Sequence, residues 1–87
     1  MFHYWHGPEI FDGDCIRSYW CGTGWVEGIV EHVIEAGTSL AKDYSCWDTG
    51  GILIREVNST VFGLMLERPV DGRLDEDWEF IRRKEIS

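Results

Sequence analysis

The sequence predicts a mainly β fold, a single small five-stranded barrel, and three observations carry that expectation. Residues 13–30 read as two short strands around a glycine-rich turn. Cys15-Ile16-Arg17-Ser18-Tyr19-Trp20-Cys21 is rich in strand formers, Gly22 and Gly24 punctuate it, and Trp25-Val26-Glu27-Gly28-Ile29-Val30 follows. Residues 52–57 and 61–66 are apolar runs flanking Asn58-Ser59-Thr60, the pattern of a hairpin with a short loop. The chain has 87 residues, which suits one domain with a thin core. Such a domain buries only about 60–65% of its unfolded surface. Five tryptophans, three tyrosines and four phenylalanines offset this, because an aromatic ring buries a large area on few rotatable bonds.

Residues 1–12 form an aromatic leader. Met1, Phe2, Tyr4 and Trp5 are too apolar for a free tail and are expected to pack across the domain or across a neighbouring subunit, with Gly7-Pro8 breaking any regular element. The barrel itself is assigned to residues 13–87. In the first strand Ile16, Ser18 and Trp20 share one face. Residues 25–34 admit two readings. Apolar residues recurring in pairs every four positions fit an amphipathic helix over 24–36, capped by Thr23 and ended by Gly37, packed on an antiparallel sheet in an α+β arrangement. Against it stand five β-branched residues, Gly28 inside the segment, and Glu27, Glu31 and Glu35 repelling one another at four-residue spacing. The strand is the better fit, with Gly28 as its bend or bulge and Trp25 and Ile29 in the core. Residues 36–50 read as a loop with a short strand over 44–47. Pro69 ends the fourth strand, residues 71–76 make a polar turn, and 77–83 close the sheet with Trp78 and Phe80 on one face.

The formal net charge is −8, from 16 acidic and 8 basic residues. That sign repels phosphate backbones, so direct nucleic-acid binding is not expected. It suits a basic protein segment or a small cationic ligand. Arg82, Arg83 and Lys84 read as a solvated basic cluster balancing the acids of 71–79. Cys15, Cys21 and Cys46 are an odd number of thiols. Along one strand Cys15 and Cys21 lie about 20 Å apart, so three reduced cysteines in a cytoplasmic protein are expected. No segment approaches the roughly 20 apolar residues of a membrane span, and the first residues lack the pattern of a signal peptide. Asn58-Ser59-Thr60 matches a glycosylation sequon but reads as a turn.

Gly13-Asp14-x-Ile16-Arg17 entering a first strand, Gly24-Trp25-Val26-Glu27-Gly28-Ile29-Val30 as a bent second strand, the hairpin at 52–66, and Leu74-Asp75-Glu76-Asp77 before Trp78-Glu79-Phe80-Ile81 together resemble an SH3-like small β-barrel of the Tudor or KOW kind. The resemblance covers residues 13–82. It implies a binding module, and for the Tudor kind an aromatic cage for methylated lysine or arginine. Tyr19, Trp20, Trp25, Tyr44 and Trp47, with Asp48, have the chemistry for such a cage, since a cation over a ring face gains about 0.5–2 kcal/mol.

A second candidate is the acidic run Asp71, Asp75, Glu76, Asp77 and Glu79, whose spaced carboxylates could imitate nucleic-acid charge. These two surfaces give two functional expectations. One is a non-catalytic module that recognises a cationic ligand or basic segment. The other is a small acidic inhibitor of a nucleic-acid-handling protein, of the type mobile elements carry. A homodimer built through the leader and exposed strand edges is expected. Metal is not expected: His3, His6 and His32 accompany the cysteines without the spacing of a zinc site. A Cys–His dyad through His32 is arithmetically possible, but no nucleophile motif surrounds any cysteine, and neither catalysis nor a cofactor is expected.

Overall fold

β-branched and aromatic runs separated by glycine turns fold here into one antiparallel sheet. The structure is a computed structural model and describes residues 2–20, 24–57 and 63–83, with Trp20 described by its backbone. The elements in chain order are β1 (Cys15–Trp20), β2 (Gly24–Ile34), α1 (Ser39–Asp43), β3 (Gly51–Glu56), β4 (Leu64–Glu67) and β5 (Trp78–Arg82). The five strands are ordered β4-β3-β2-β1-β5, so the chain meanders and its last strand returns beside its first. Among the described residues β4 and β5 share no backbone ladder, and the sheet is open rather than a closed barrel. Across the opening Glu67 of β4 and Trp78 of β5 lie within reach of each other. Among the described residues no helix is long and apolar enough to cross a membrane.

Residues 24–34 are strand throughout, which settles the ambiguity of that segment against the helix. The inward face is the opposite of the one expected. Val26, Gly28 and Val30 are buried, whereas Trp25 is 49% exposed and Ile29 is half-buried. Gly28 is not a bulge. A Cβ there would lie 2.5 Å from Cγ2 of Ile54, so the glycine lets a stiff β3 side chain cross β2. The bulge sits at Glu31, between the pairs Val30↔Ile54 and His32↔Leu53. It reverses the alternation, which carries Ile34 to the far side of the sheet. A second irregularity at Cys15/Ile16 skips Ile81 on β5.

The sheet buries both faces. On one, Ile16, Val30, Ile52 and Ile54 meet Phe2, Tyr4, Ile10, Leu74 and Trp78. The leader thus folds over its own domain. Ile10 N–H donates to Phe2 C=O at 2.8 Å, and residue 3 is clasped by Gly72 and Leu74 through backbone bonds of 2.8 and 2.9 Å. On the other face Ala41 of α1 and Cys46, just after it, cover Ile34, Leu53 and Leu66. The 36–50 connection therefore carries a short helix and no strand at 44–47. Thr38 caps the helix, its Oγ1 accepting from Ala41 N–H at 3.2 Å. Gly50 seals the joint: at φ 70° it sits where a Cβ would strike Ile34 O at 2.4 Å.

The β3–β4 hairpin pairs Ile52↔Glu67 through Arg55↔Leu64. Its second strand starts at Leu64, later than expected, and the 58–62 connection with the sequon lies outside the described residues. Glu56 closes the described end, donating its backbone N–H to Gly63 C=O at 2.8 Å and accepting Gly63 N–H on Oε2 at 3.0 Å. At the other end Asp75 accepts Asp77 N–H on Oδ1 at 2.9 Å and turns the chain into β5.

Ile16→Ala and Ile54→Ala should each cost about 2–5 kcal/mol in denaturant titrations, while Trp25→Ala should cost under about 1 kcal/mol at high dilution, where no second copy of the chain contributes. A reversed order would place the core on the wrong face of β2. Glu67 provides a pH test. Burial, helped by the nearby Asp75 charge, raises its pKa above the ordinary 4.5 despite the opposing effect of Trp78. A raised carboxylate favours folding fully below 4.5, and the contribution is lost as pH climbs through the folded value. Glu67→Gln keeps the side chain's shape without the charge. It should gain stability relative to wild type between pH 4 and 7, and a constant difference across that range would refute the assignment.

Candidate functional site

The turn before β1 places an aspartate where no water reaches it. Asp14 is 0% exposed, and its carboxylate gathers donors from its own turn, from the leader and from beyond β5. Tyr4 donates its hydroxyl to Oδ2 at 2.7 Å. Phe11 donates its backbone N–H to the same oxygen at 3.0 Å. Arg83, just past β5, donates Nε to Oδ1 at 3.1 Å and an Nη2 proton to Oδ2 at 3.3 Å, and Nη2 also reaches Glu9 C=O at 2.6 Å. The guanidinium stacks on Phe11 at 4.4 Å and on Phe80 at 5.4 Å. Arg83 is thus not part of a solvated cluster. It compensates the buried carboxylate, while Arg82 is exposed and Lys84 lies outside the described residues. Burial and the Asp14 carboxylate push the Tyr4 phenol far above its ordinary 10.0, with Arg83 opposing weakly.

Above this cluster lies a groove of about 660 Å³. Its floor is apolar, from Ile10, Phe11 and Val33. Glu9, Asp12 and Glu35 stand on its rim and Arg83 forms one wall. Asp12 is held in place by β2, because its Oδ1 accepts Val33 N–H at 2.8 Å and its Oδ2 lies 3.9 Å from His32 Nδ1. Glu35 follows directly on β2, where the Thr38 hydroxyl donates to its carbonyl at 2.8 Å. A side chain with an apolar stem and a cationic head matches this arrangement, the stem along Val33 and the head among the carboxylates.

The residues expected to form an aromatic cage separate into two groups. Tyr19 and Trp25 are cross-strand partners at the β1–β2 turn, edge to face with ring centroids 5.4 Å apart. Their cation is internal: Arg17 lies 4.5 Å over the Trp25 ring and pairs with Glu79 at 2.9 Å. Tyr44, Trp47 and Asp48 follow α1, at the far end of the eleven-residue β2. Tyr44 is half-buried against the α1 cluster and Trp47 is 53% exposed. About 30 Å of strand lies between the groups, so they do not share one cage. The Trp20 ring lies outside the described residues. The acidic run is also divided. Asp75, Glu76 and Asp77 share the turn before β5, Asp71 sits in a separate tight turn at φ 54°, and Glu79 is engaged by Arg17. Among the described residues no group of three or more His, Cys, Asp or Glu could hold a metal. Cys15 and Cys46 are free thiols, and Cys21 lies outside the described residues.

The groove residues escaped the sequence reading because Phe11, Asp12 and Asp14 look like turn chemistry, and their partners stand up to 69 positions away.

Tyr4→Phe should cost about 1.5–3 kcal/mol at neutral pH, the worth of a hydrogen bond to a charged group. Because the folded phenol titrates above 10.0, its stabilisation is complete below that pH and fades above it. The gap between wild type and Tyr4→Phe should therefore narrow in urea titrations above pH 10, and a gap that widens there would refute the buried phenol–carboxylate bond. Asp14→Asn should cost about 3 kcal/mol, the lower end for breaking a buried pair, since Arg83 reaches solvent.

No protein-family model, no curated protein and no solved structure matches this chain.

Proposed function

We propose that this chain is a non-catalytic binding module that takes a basic polypeptide segment, in a cytoplasmic setting where its thiols stay reduced. The observation that carries the proposal is the groove beside β2, whose lining combines apolar Ile10, Phe11 and Val33 with three acidic residues, Glu9, Asp12 and Glu35, against one arginine, Arg83. The net charge of −8 adds long-range attraction for a cationic partner and raises its encounter rate. The meander that brings β5 back beside β1 is compatible with the SH3-like resemblance, a scaffold suited to binding. The groove differs from the cage expected from that resemblance. It reads a lysine or arginine through carboxylates rather than ring faces, because Arg17 already occupies Trp25 and Arg83 already lies over Phe11.

The competing reading is an acidic inhibitor that sits in a nucleic-acid site on another protein, and it draws on Asp75, Glu76 and Asp77. Titration of a short fluorescent oligolysine peptide separates the two at low and moderate salt. Replacing the rim (Glu9→Gln, Asp12→Asn and Glu35→Gln together) should weaken binding at least about tenfold, roughly 1.4 kcal/mol. Neutralising Asp75, Glu76 and Asp77 should change it less than about twofold. Equal loss in both variants would reduce the attraction to net charge alone, and loss confined to the second would favour the inhibitor.

A further inference from the structure

The face of the sheet that carries α1 is only half covered. Ile34, Leu53 and Leu66 lie under the helix, and the same face continues across the strands without a covering element among the described residues. Direct cross-strand pairing fixes its composition. Leu64 stands opposite Arg55, Arg55 opposite Ile29, Ile29 opposite Cys15, and two rows on Tyr19 stands opposite Trp25. Tyr19 is 58% exposed, Trp25 49% and Leu64 53%. Between them run ion pairs. Arg17 joins Glu79, Arg55 joins Glu31, Glu27 is the cross-strand partner of Arg17, and Arg82 stands opposite Cys15.

We infer that this face is an interface between two copies of the chain, packed sheet to sheet about a two-fold axis. Charge selects the occupant. The protein carries −8, so two copies repel over most approaches. On this face Arg17, Arg55 and Arg82 balance Glu27, Glu31 and Glu79. Two copies can therefore meet here without net repulsion, and a two-fold axis can set the arginines of one against the glutamates of the other. A basic partner is drawn instead to the carboxylates of the groove. The rings at one end and Leu64 at the β4 edge supply apolar contacts on either side of the ion pairs, at the spacing of about 10 Å that stacked sheets adopt. The leader does not supply it, because Phe2 and Tyr4 are buried in their own domain. This inference is independent of the groove, which opens beside residues 9–12.

Sedimentation equilibrium over a range of protein concentrations tests it. Wild type should approach twice the 10.1 kDa chain mass. Trp25→Glu and Leu64→Glu, at exposed positions, should each weaken dimerisation at least about a hundredfold with unchanged circular dichroism. The rim-neutralised groove variant should dimerise like wild type. A wild-type monomer at every concentration overturns the inference, as does a dimer that survives both glutamate substitutions. If one glutamate variant loses its native circular dichroism spectrum, Trp25→Lys or Leu64→Lys repeats the same test.

Discussion

The carboxylate of Asp14 ties the leader and the end of β5 to the turn before β1. Tyr4 reaches it from the leader, Phe11 from the turn before β1, and Arg83 from beyond β5. A charge with no exposure would be costly in an apolar interior, and it is tolerated because both oxygens accept hydrogen bonds and the cation is bidentate. The geometry leaves little freedom. Tyr4 must lie over Phe80, their rings 5.2 Å apart, for its hydroxyl to point at Oδ2. Arg83 must pass between Phe11 and Phe80. Both requirements place residues 9–12 alongside β2, and this creates the groove.

The sheet follows a second constraint, since a domain this small must use both of its faces. β3 shows it most clearly. Ile52 and Ile54 face the leader, Leu53 faces α1, and Gly51 lies against the Leu66 side chain. The bulge at Glu31 makes this possible by moving Ile34 to the α1 side while Val30 stays on the leader side. Gly28 serves the same purpose from the opposite direction, removing a side chain where Ile54 must pass.

Internal use of arginine explains the character of the surface. Arg17 lies on Trp25, Arg73 on Trp5 at 5.8 Å, and Arg83 on Phe11, while Arg55 pairs with Glu31. With so few basic residues, those committed to rings and carboxylates leave the groove rim acidic and one sheet face balanced. The two surfaces thus suit different partners, and the same allocation of arginines produces both.

Local chemistry alone determined the mainly β class, the antiparallel hairpin, the common face of Ile16 and Ser18 in β1, the polar turn at 75–77 and the acidic character of the chain. Each depends on residues close in sequence: alternation, β-branching, turn formers and charge. Tertiary structure decided what depends on distant partners. Trp25 and Ile29 look like core residues by hydropathy, yet Val26 and Val30 are buried, because Ile54 needs the space that only Gly28 leaves. The helix at 39–43 is too short for a periodic signal, and it exists because Leu53 and Ile34 need cover. The aromatic residues that suggested one cage belong to opposite ends of β2. The groove instead depends on Asp14 and Arg83, 69 positions apart, whose pairing is invisible in the sequence because only the folded sheet brings β5 back beside β1.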